Sequence, residues 1–196
     1  MRLKIKGTVL TIDYFFFVML SLMLMYNSYA TLSVLALSLM HELCHVVALI
    51  VMGGKVSTLR ISAFGMVMTC DDIYRLSPFK EMFFVLAGPV SNIAFSVMVL
   101  PFNTDYTAYL SALSMLWGLF NLLPFTAWDG GKALNLLLLI YMKQKSAENI
   151  MKFLSVLTLV CLGAFGILLL IKNRSSYSVL IITLYLTIFL INKPMS

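Results

Sequence analysis

Long apolar blocks separated by short polar segments constrain the fold of this chain more than any other feature. Each block reaches or approaches the length of about 20 residues that a helix needs to cross the hydrocarbon core of a bilayer. The chain is 61% hydrophobic and 11% charged, whereas a soluble domain carries about 25% charged residues. The sequence therefore predicts an all-α polytopic membrane protein that forms a single domain over residues 1–196.

Six of the blocks are predicted to be transmembrane helices. They cover about residues 9–26, 29–52, 82–100, 109–123, 153–171 and 177–191. Pro89 lacks a backbone donor, so the segment of residues 87–92 is expected to interrupt and kink the third helix. A short apolar helix at residues 133–142 and a polar basic loop at residues 143–148 are expected between the fourth and fifth spans.

The longest stretch between spans, residues 55–81, carries a strand signal. Leu59, Ile61 and Ala63 alternate with polar residues, which is the period of a strand with one buried face. A glycine and a second apolar run follow, so a small membrane-associated β-hairpin or sheet is expected between the second and third helices, at residues 55–69. An exposed edge of this structure can pair with an extended peptide by β-augmentation.

The distribution of basic residues predicts the orientation in the membrane. With six spans and a cytoplasmic N-terminus, twelve of the fourteen Lys and Arg residues lie on the cytoplasmic side, and only Lys172 and Arg174 lie outside. Cytoplasmic loops carry such an excess, so both termini are expected in the cytoplasm. The net charge of +6 then reflects orientation, and nucleic acid is not expected as a partner. No removable signal peptide and no soluble C-terminal domain are expected.

The motif His41-Glu42-Leu43-Cys44-His45 lies in the middle of the second predicted span, and the chain has no other histidine. Residues four apart on a helix share one face, so the two imidazoles can grip a single metal ion. Glu42 can then act as general base toward the attacking water. At a rise of 1.5 Å per residue, His41 lies roughly 18 Å from either end of its helix. Ionisable residues at that depth in a membrane are by default functional.

A third metal ligand has to come from elsewhere in the chain, because hydrolytic zinc sites usually have three protein ligands and one open position. Asp129 is the candidate: it follows a spanning helix and precedes two glycines that allow a tight turn. Irregular backbone at membrane depth is tolerated only where it is buried in protein or lines a cavity. The alternative for Asp129 is an interfacial carboxylate that caps the helix beginning at Gly130.

Two asparagines at predicted membrane depth are candidates for substrate handling. Asn92 and Asn121 can line a polar cleft that admits water, together with Ser91 and Thr126. Their amides can also hold the substrate backbone or the oxyanion that develops during hydrolysis. The alternative for each asparagine is an ordinary hydrogen bond between transmembrane helices.

Three motifs stand in order along the chain: His41-Glu42-x-x-His45, Ala87-Gly88-Pro89-x-x-Asn92, and Asn121-Leu122-Leu123-Pro124 followed by Asp129-Gly130-Gly131. This set resembles the site-2 protease family (peptidase M50) of intramembrane zinc metalloproteases, over about residues 10–190. The resemblance implies one Zn²⁺ held by His41, His45 and Asp129, with Glu42 as the catalytic base. It also implies that Asn92 and Asn121 lie at positions implicated in substrate handling, and that residues 55–69 form the family's membrane-associated β-structure.

Within the family, the chain is similar to the stage IV sporulation protein FB branch, which has six spans and no PDZ domain. That resemblance implies a multi-pass protein of a bacterial cell membrane. Its substrate would be a membrane-associated or transmembrane regulatory protein, such as a sporulation pro-sigma factor or an anti-sigma factor, and membrane proteins would regulate it. Two departures are plain. No CBS domain follows the last span, and Ala127-Trp128 stand where the family often has Pro-Leu before the aspartate.

Two other functions are compatible with the same residues. A divalent-metal carrier would use the two histidines and Asp129 as a transit site, but carriers often show repeat symmetry between their halves, and none is visible here. An inactive membrane scaffold would have no need of Glu42 beside a complete ligand set. The sequence therefore favours an intramembrane zinc metalloendopeptidase that hydrolyses a peptide bond in or near a membrane segment of its substrate.

Overall fold

The computed structural model describes residues 2–5, 8–14, 21, 25, 28–54, 58–62, 65–69, 77–172 and 178–192. It separates into two compact units, Met1–Leu122 and Leu123–Ser196. Among the helices whose bounds the structure describes, three α-helices lie in the first unit together with the strands, and three lie in the second unit.

The strands of the first unit form one four-stranded sheet, and they are β1 (Arg2–Ile5), β2 (Thr8–Ile12), β3 (Thr58–Ser62) and β4 (Gly65–Thr69). Their spatial order is β1-β2-β3-β4. β1 pairs with β2, and β3 with β4, in antiparallel fashion, whereas β2 and β3 run parallel. The β3–β4 pair occupies the stretch where the alternation of residues 59–63 predicts a hairpin.

The first predicted span begins too early in the chain. Its residues 9–12 belong to β2 rather than to a helix, and Asp13 follows the strand without regular structure. Tyr14, Ser21 and Met25 are helical, and the remaining residues of this span lie outside the described part of the chain. Arg2-Leu3-Lys4-Ile5 alternates with a period of two, and β2 is rich in β-branched residues, both of which favour strands. The N-terminal pair then extends the sheet through β3, a long-range pairing that local periodicity does not reveal.

The first unit has three α-helices with described bounds: α1 (Ser28–Val51), α2 (Pro78–Val99) and α3 (Asp105–Asn121). A 3₁₀ turn, Leu100–Phe102, continues α2. The prediction that residues 87–92 interrupt the third span is wrong, because α2 runs through Pro89 without a break. Membrane helices tolerate proline where neighbouring helices and side chains satisfy the freed backbone groups.

The ends of α1 and α3 follow from local sequence. Gly53 has a positive φ of 82° just beyond α1, a conformation that glycine adopts without steric cost. Its N–H donates to the carbonyl of Ile50 at 2.9 Å, which pairs one of the last helical carbonyls. At the start of α3, Thr104 and Thr107 form a capping box with reciprocal bonds between side chain and backbone.

A seam of small residues joins α2 to α3. Ser96 and Ser111 donate reciprocally to each other's backbone carbonyl at 2.8 and 3.0 Å, and Ser114 donates to the carbonyl of Asn92 at 2.8 Å. Gly118 has no room for a side chain, since an added Cβ would lie 2.9 Å from the carbonyl oxygen of Pro89. Small residues let helix backbones approach closely in membranes, and here they fix the position of α2 against α3.

The second unit contains α4 (Asp129–Tyr141), α5 (Gln144–Lys172) and α6 (Ser178–Asn192). The prediction of a polar loop over residues 143–148 is wrong, because α5 already begins at Gln144. The side chain of Gln144 donates to Glu148 at 2.9 Å, one turn along the helix. This i,i+4 pair supports the polar first turn of α5. Phe125, Leu159 and Leu186 form the core of the unit.

Three described helices are long and apolar enough to cross a membrane: Tyr29–Val51, Pro78–Phe102 and Gln144–Lys172. A shorter apolar helix covers Val179–Ile191. Burial in α1 is the reverse of that in a soluble protein, since both histidines are buried while Leu43 and Val47 are more than half exposed. Polar groups facing inward and large apolar groups facing outward suit a lipid environment. These features indicate a membrane protein.

Candidate metal centre

The helix α1 brings its two histidines together on one buried face. The side chains of His41 and His45 are only 4% and 6% exposed. Their Nε2 atoms lie 3.2 Å apart, and the ring planes are inclined by 78°. Two nitrogens that bind one tetrahedral zinc ion at 2.0–2.1 Å would lie about 3.3 Å apart. The histidine pair therefore has the geometry of two ligands of a single ion.

The ring of His45 is held by a backbone carbonyl of the neighbouring helix. Its Nδ1 lies 2.8 Å from the carbonyl oxygen of Phe84. A carbonyl can only accept, so the proton of a neutral ring is on Nδ1 and the lone pair is on Nε2. Metal-binding histidines usually carry such a bond on the second nitrogen, which fixes both tautomer and ring orientation.

The ring of His41 contacts a side chain of α2, the helix that also contacts His45. The amide of Asn92 lies against it, with 3.1 Å between Nδ2 of Asn92 and Nδ1 of His41. Asn92 is completely buried. Among the described residues, its Oδ1 has no hydrogen-bond partner. The contact is thus on the side of the imidazole opposite to the nitrogen that faces His45.

Gly88 forms the wall beside the two facing nitrogens. A Cβ added to it would run into Nε2 of His45 and would lie 2.7 Å from Nε2 of His41. Sequence reasoning noted Gly88 only as part of a motif and missed this role. The signal was present, because Phe84, Gly88 and Asn92 follow one another at intervals of four and so share one face of α2.

Glu42 follows His41 directly and is half-buried. Consecutive residues on a helix are turned by about 100°, so the carboxylate leaves α1 beside the histidine face. The structure thus keeps the whole motif on one unbroken helix, as the sequence predicts.

Asp129 is the first residue of α4, in the second unit, and it is buried. Its Oδ1 accepts from Nζ of Lys132 at 3.0 Å. The N-cap of α4 is Trp128, which makes no capping bond with its side chain, so the helix begins one residue earlier than a capping role of Asp129 would require. Gly131 keeps the preceding turn tight, since an added Cβ would run into the backbone carbonyl of Phe125.

Among the described residues, the side chains able to hold a metal ion are His41 and His45 of the first unit and Asp129 of the second. The other predicted site residue, Asn121, lies at the end of α3 and is half-buried. Its Nδ2 donates to the carbonyl of Trp117 at 2.9 Å, within the same helix. Imidazole nitrogens and a carboxylate oxygen are the donor set of hydrolytic zinc sites, so these residues fit such an ion.

Comparison with known proteins gives a likeness among solved structures. No protein-family model matches the chain, and no curated protein matches it. Among solved structures, the Site-2 Protease from Methanocaldococcus jannaschii is similar, with a TM-score of 0.65 and 22% sequence identity. The match covers 95% of this chain and 91% of that one. At this level of identity the likeness establishes the fold and nothing finer.

Proposed function

We propose that this protein is an intramembrane zinc metalloendopeptidase, which hydrolyses a peptide bond in or near a membrane segment of a regulatory protein. The observation that carries the proposal is the buried histidine pair, whose Nε2 atoms lie 3.2 Å apart on a helix of membrane length. The fold likeness to a site-2 protease supports it. Fold alone does not imply function, so the residues of the pair carry the argument.

His41, His45 and Asp129 are the proposed ligands of one Zn²⁺, since they are the described groups able to hold an ion. A zinc ion bound there supplies a water of lowered pKa and polarises the substrate carbonyl. The ammonium of Lys132 donates to Oδ1 of Asp129 at 3.0 Å and would help to hold the carboxylate in place.

Glu42 is the proposed general base and acid. It takes the proton of the attacking water and later delivers it to the nitrogen of the leaving amine. Its place directly after His41 is the place that this metal-binding motif gives to the base. Asn121 is the proposed contact for the substrate backbone or the oxyanion, because its amide stands at the end of α3, close in sequence to the turn before Asp129.

The sheet is the proposed docking edge for the substrate. β1 and β4 are the outer strands of its order, and a free outer strand can add an extended peptide by backbone hydrogen bonding. A peptide in helical form hides its amides, so an extended form is needed before water can attack. We assign this role to β4, within the stretch that the sequence singles out.

Six spans with both termini in the cytoplasm of a bacterial cell are the proposed topology. β2 and β3 are paired, so they lie on the same side of the membrane, as an even number of spans between them requires. The positive-inside distribution of Lys and Arg places that side in the cytoplasm. A sporulation pro-sigma factor or a single-span anti-sigma factor is the proposed type of substrate, and membrane proteins are the proposed regulators.

Cleavage of tagged candidate substrates, co-expressed with wild type or with Glu42→Gln, tests the proposal. We expect wild type to cut one substrate and Glu42→Gln to be about 10²–10⁴-fold slower, with the same zinc content in the purified protein. Equal cleavage by both would contradict the proposal. If neither protein cuts a substrate while both bind zinc, an observed zinc flux into proteoliposomes would favour the divalent-metal carrier instead.

A further inference from the structure

We propose that Asn92 is a positioning residue that sets the tautomer of His41. In this assignment Oδ1 of Asn92 accepts a hydrogen bond from Nδ1–H of His41, so that Nε2 of the ring keeps its lone pair for a metal ion. The inference rests on the metal centre of the proposed function, but its test has a readout that needs no substrate and no proteolytic activity.

The contact between the two side chains has two possible senses. If Nδ2 of Asn92 donates across the 3.1 Å, Nδ1 of His41 accepts and the proton of the neutral ring is on Nε2. That nitrogen then has no lone pair for a ligand bond. If the amide is turned by 180° about its last side-chain bond, Oδ1 faces Nδ1–H and Nε2 becomes a donor for metal.

The burial of Asn92 does not distinguish the two orientations of its amide. The need for a lone pair on Nε2 of His41 does distinguish them. The amide of Asn92 is fully buried and has one atom without a described partner in either orientation. The oxygen and the nitrogen of an amide have nearly the same shape and are assigned from the hydrogen-bond network. The facing Nε2 atoms, 3.2 Å apart, call for lone pairs on both rings when they share one ion.

The neighbouring histidine shows the same arrangement with a different acceptor. The carbonyl oxygen of Phe84 fixes Nδ1–H of His45, and Asn92 stands two helical turns further along the same face of α2. Gly88, between them, lets α2 approach both Nε2 atoms closely, since an added Cβ would run into them. One face of α2 therefore supplies an acceptor for each ring and, between the two, a residue without a side chain.

The position of Asn92 is itself fixed from the other side by α3. Ser114 donates to its backbone carbonyl at 2.8 Å. A Cβ added to Gly118 would lie 3.3 Å from Cβ of Asn92, so the two helices are in close contact there. A fully buried amide held in this way suits the orientation of a ring. The sequence suggests that Asn92 contacts the substrate. In this inference it contacts His41, a proposed metal ligand, instead.

Selective ¹⁵N labelling of histidine in the full-length protein is the first test, because the chain has two histidines and His45 serves as internal reference. With Zn²⁺ bound, long-range ¹H–¹⁵N spectra of wild type should show Nδ1–H in both rings, because without an ion the facing Nε2 atoms, 3.2 Å apart, favour a proton on one of them. In Asn92→Leu, the Nδ1–H of His41 should lose its hydrogen bond, so that its ¹H resonance moves upfield and exchanges faster with water, while the Nδ1–H of His45 should stay unchanged. An Nε2–H tautomer of His41 in wild type, or no change in Asn92→Leu, would overturn the inference.

Metal affinity is the second test, measured with Co²⁺ by visible absorption against a competing chelator. Asn92→Leu should bind about 10–100-fold more weakly. Asn92→Asp should stay near wild type because it keeps an acceptor and loses only the donor. Equal losses in both variants would contradict the acceptor role.

The matched control is Ser96→Ala, one turn from Asn92 in the same buried seam, where the side chain bonds only to Ser111 among the described residues. It should lower thermal stability without changing the affinity for Co²⁺. If wild type itself bound no metal, the proposed function would fail. Metal binding together with an unchanged Nδ1–H of His41 in Asn92→Leu would leave the proposed function intact and overturn this inference alone.

Discussion

The histidine pair of the first unit and the carboxylate of the second are positioned by different means. His41 and His45 are brought together by helical periodicity, and their rings are held by contacts from one face of a neighbouring membrane helix. Asp129 begins a short helix after an irregular turn, and its side chain accepts a hydrogen bond from the half-exposed Lys132. The difference shows that the histidine pair depends on the close packing of α1 against α2, whereas the carboxylate depends on the backbone of a turn.

The strongest challenge to the pair is Gly88→Ala. The added Cβ would occupy the space beside both Nε2 atoms, so affinity for Co²⁺ or Zn²⁺ should fall by more than about 100-fold, beyond the usual effect of a residue behind the ligands. Alanine favours a helix over glycine by about 1 kcal/mol, so α2 should persist.

Gly163→Ala in α5 is the matched control, since a Cβ there would meet only Thr183, at an ordinary contact distance of 3.6 Å. Circular dichroism and chelator competition on the two purified variants make the comparison. Wild-type affinity in Gly88→Ala would show that the space beside the rings is not where a metal binds.

For the carboxylate, Gly131→Ala changes the turn rather than the ligand. The new Cβ would run into the backbone of Phe125, and such overpacking costs about 1–3 kcal/mol. We expect a lower thermal midpoint together with weaker metal binding, because Asp129 lies two residues away on the same turn of α4. Thermal scans with and without Zn²⁺ measure both effects. If Gly131→Ala kept the thermal midpoint and the metal binding of wild type, the position of Asp129 would not depend on the geometry of the turn.

The smallest effect is expected at Lys132, whose side chain is 54% exposed. Exposed ion pairs contribute about 0–1 kcal/mol, so Lys132→Met should raise the affinity for metal by about fivefold at most, because the ammonium competes with a metal cation for the carboxylate of Asp129. Lys132→Arg keeps the charge and should lie closer to wild type. Titration with Co²⁺ at low and high salt tests this, since the difference between the variants should shrink as salt screens the pair. A loss of metal affinity as large as that in Gly88→Ala would show that Lys132 matters to the carboxylate as much as helix packing matters to the histidine pair.

Much of the first unit could be predicted from sequence because its signals are local. The length of α1, the shared face of the two histidines and the strand alternation at residues 59–63 all follow from short-range periodicity. The N-terminal strands could not be found in this way, because β2 is paired with a strand that follows α1. Continuity of α2 through Pro89 was also missed, since its contacts with α3 are tertiary.

For the candidate site, sequence named the residue types but not their partners. The histidine spacing predicts a shared ion, yet nothing in the sequence shows that Phe84 and Asn92 meet the rings, because α1 and α2 are separated by the sheet segments. Gly88 was hidden for the same reason: a missing side chain gives no signal until the helix packed against it is known. Asp129 is a local prediction from its glycines, and its place in α4 agrees with a tight turn there.

The parallel pairing of β2 with β3 also has a consequence during synthesis. Leu10 lies opposite Leu59, so the first strands leave the ribosome well before their partner exists. At 5–20 residues per second the delay is about 2–10 s. During that time β1 can cover one edge of β2, while the other edge remains open to any extended chain nearby. The nascent protein thus passes through an interval in which its own N-terminal hairpin is open to mispairing, and translation speed sets the length of that interval.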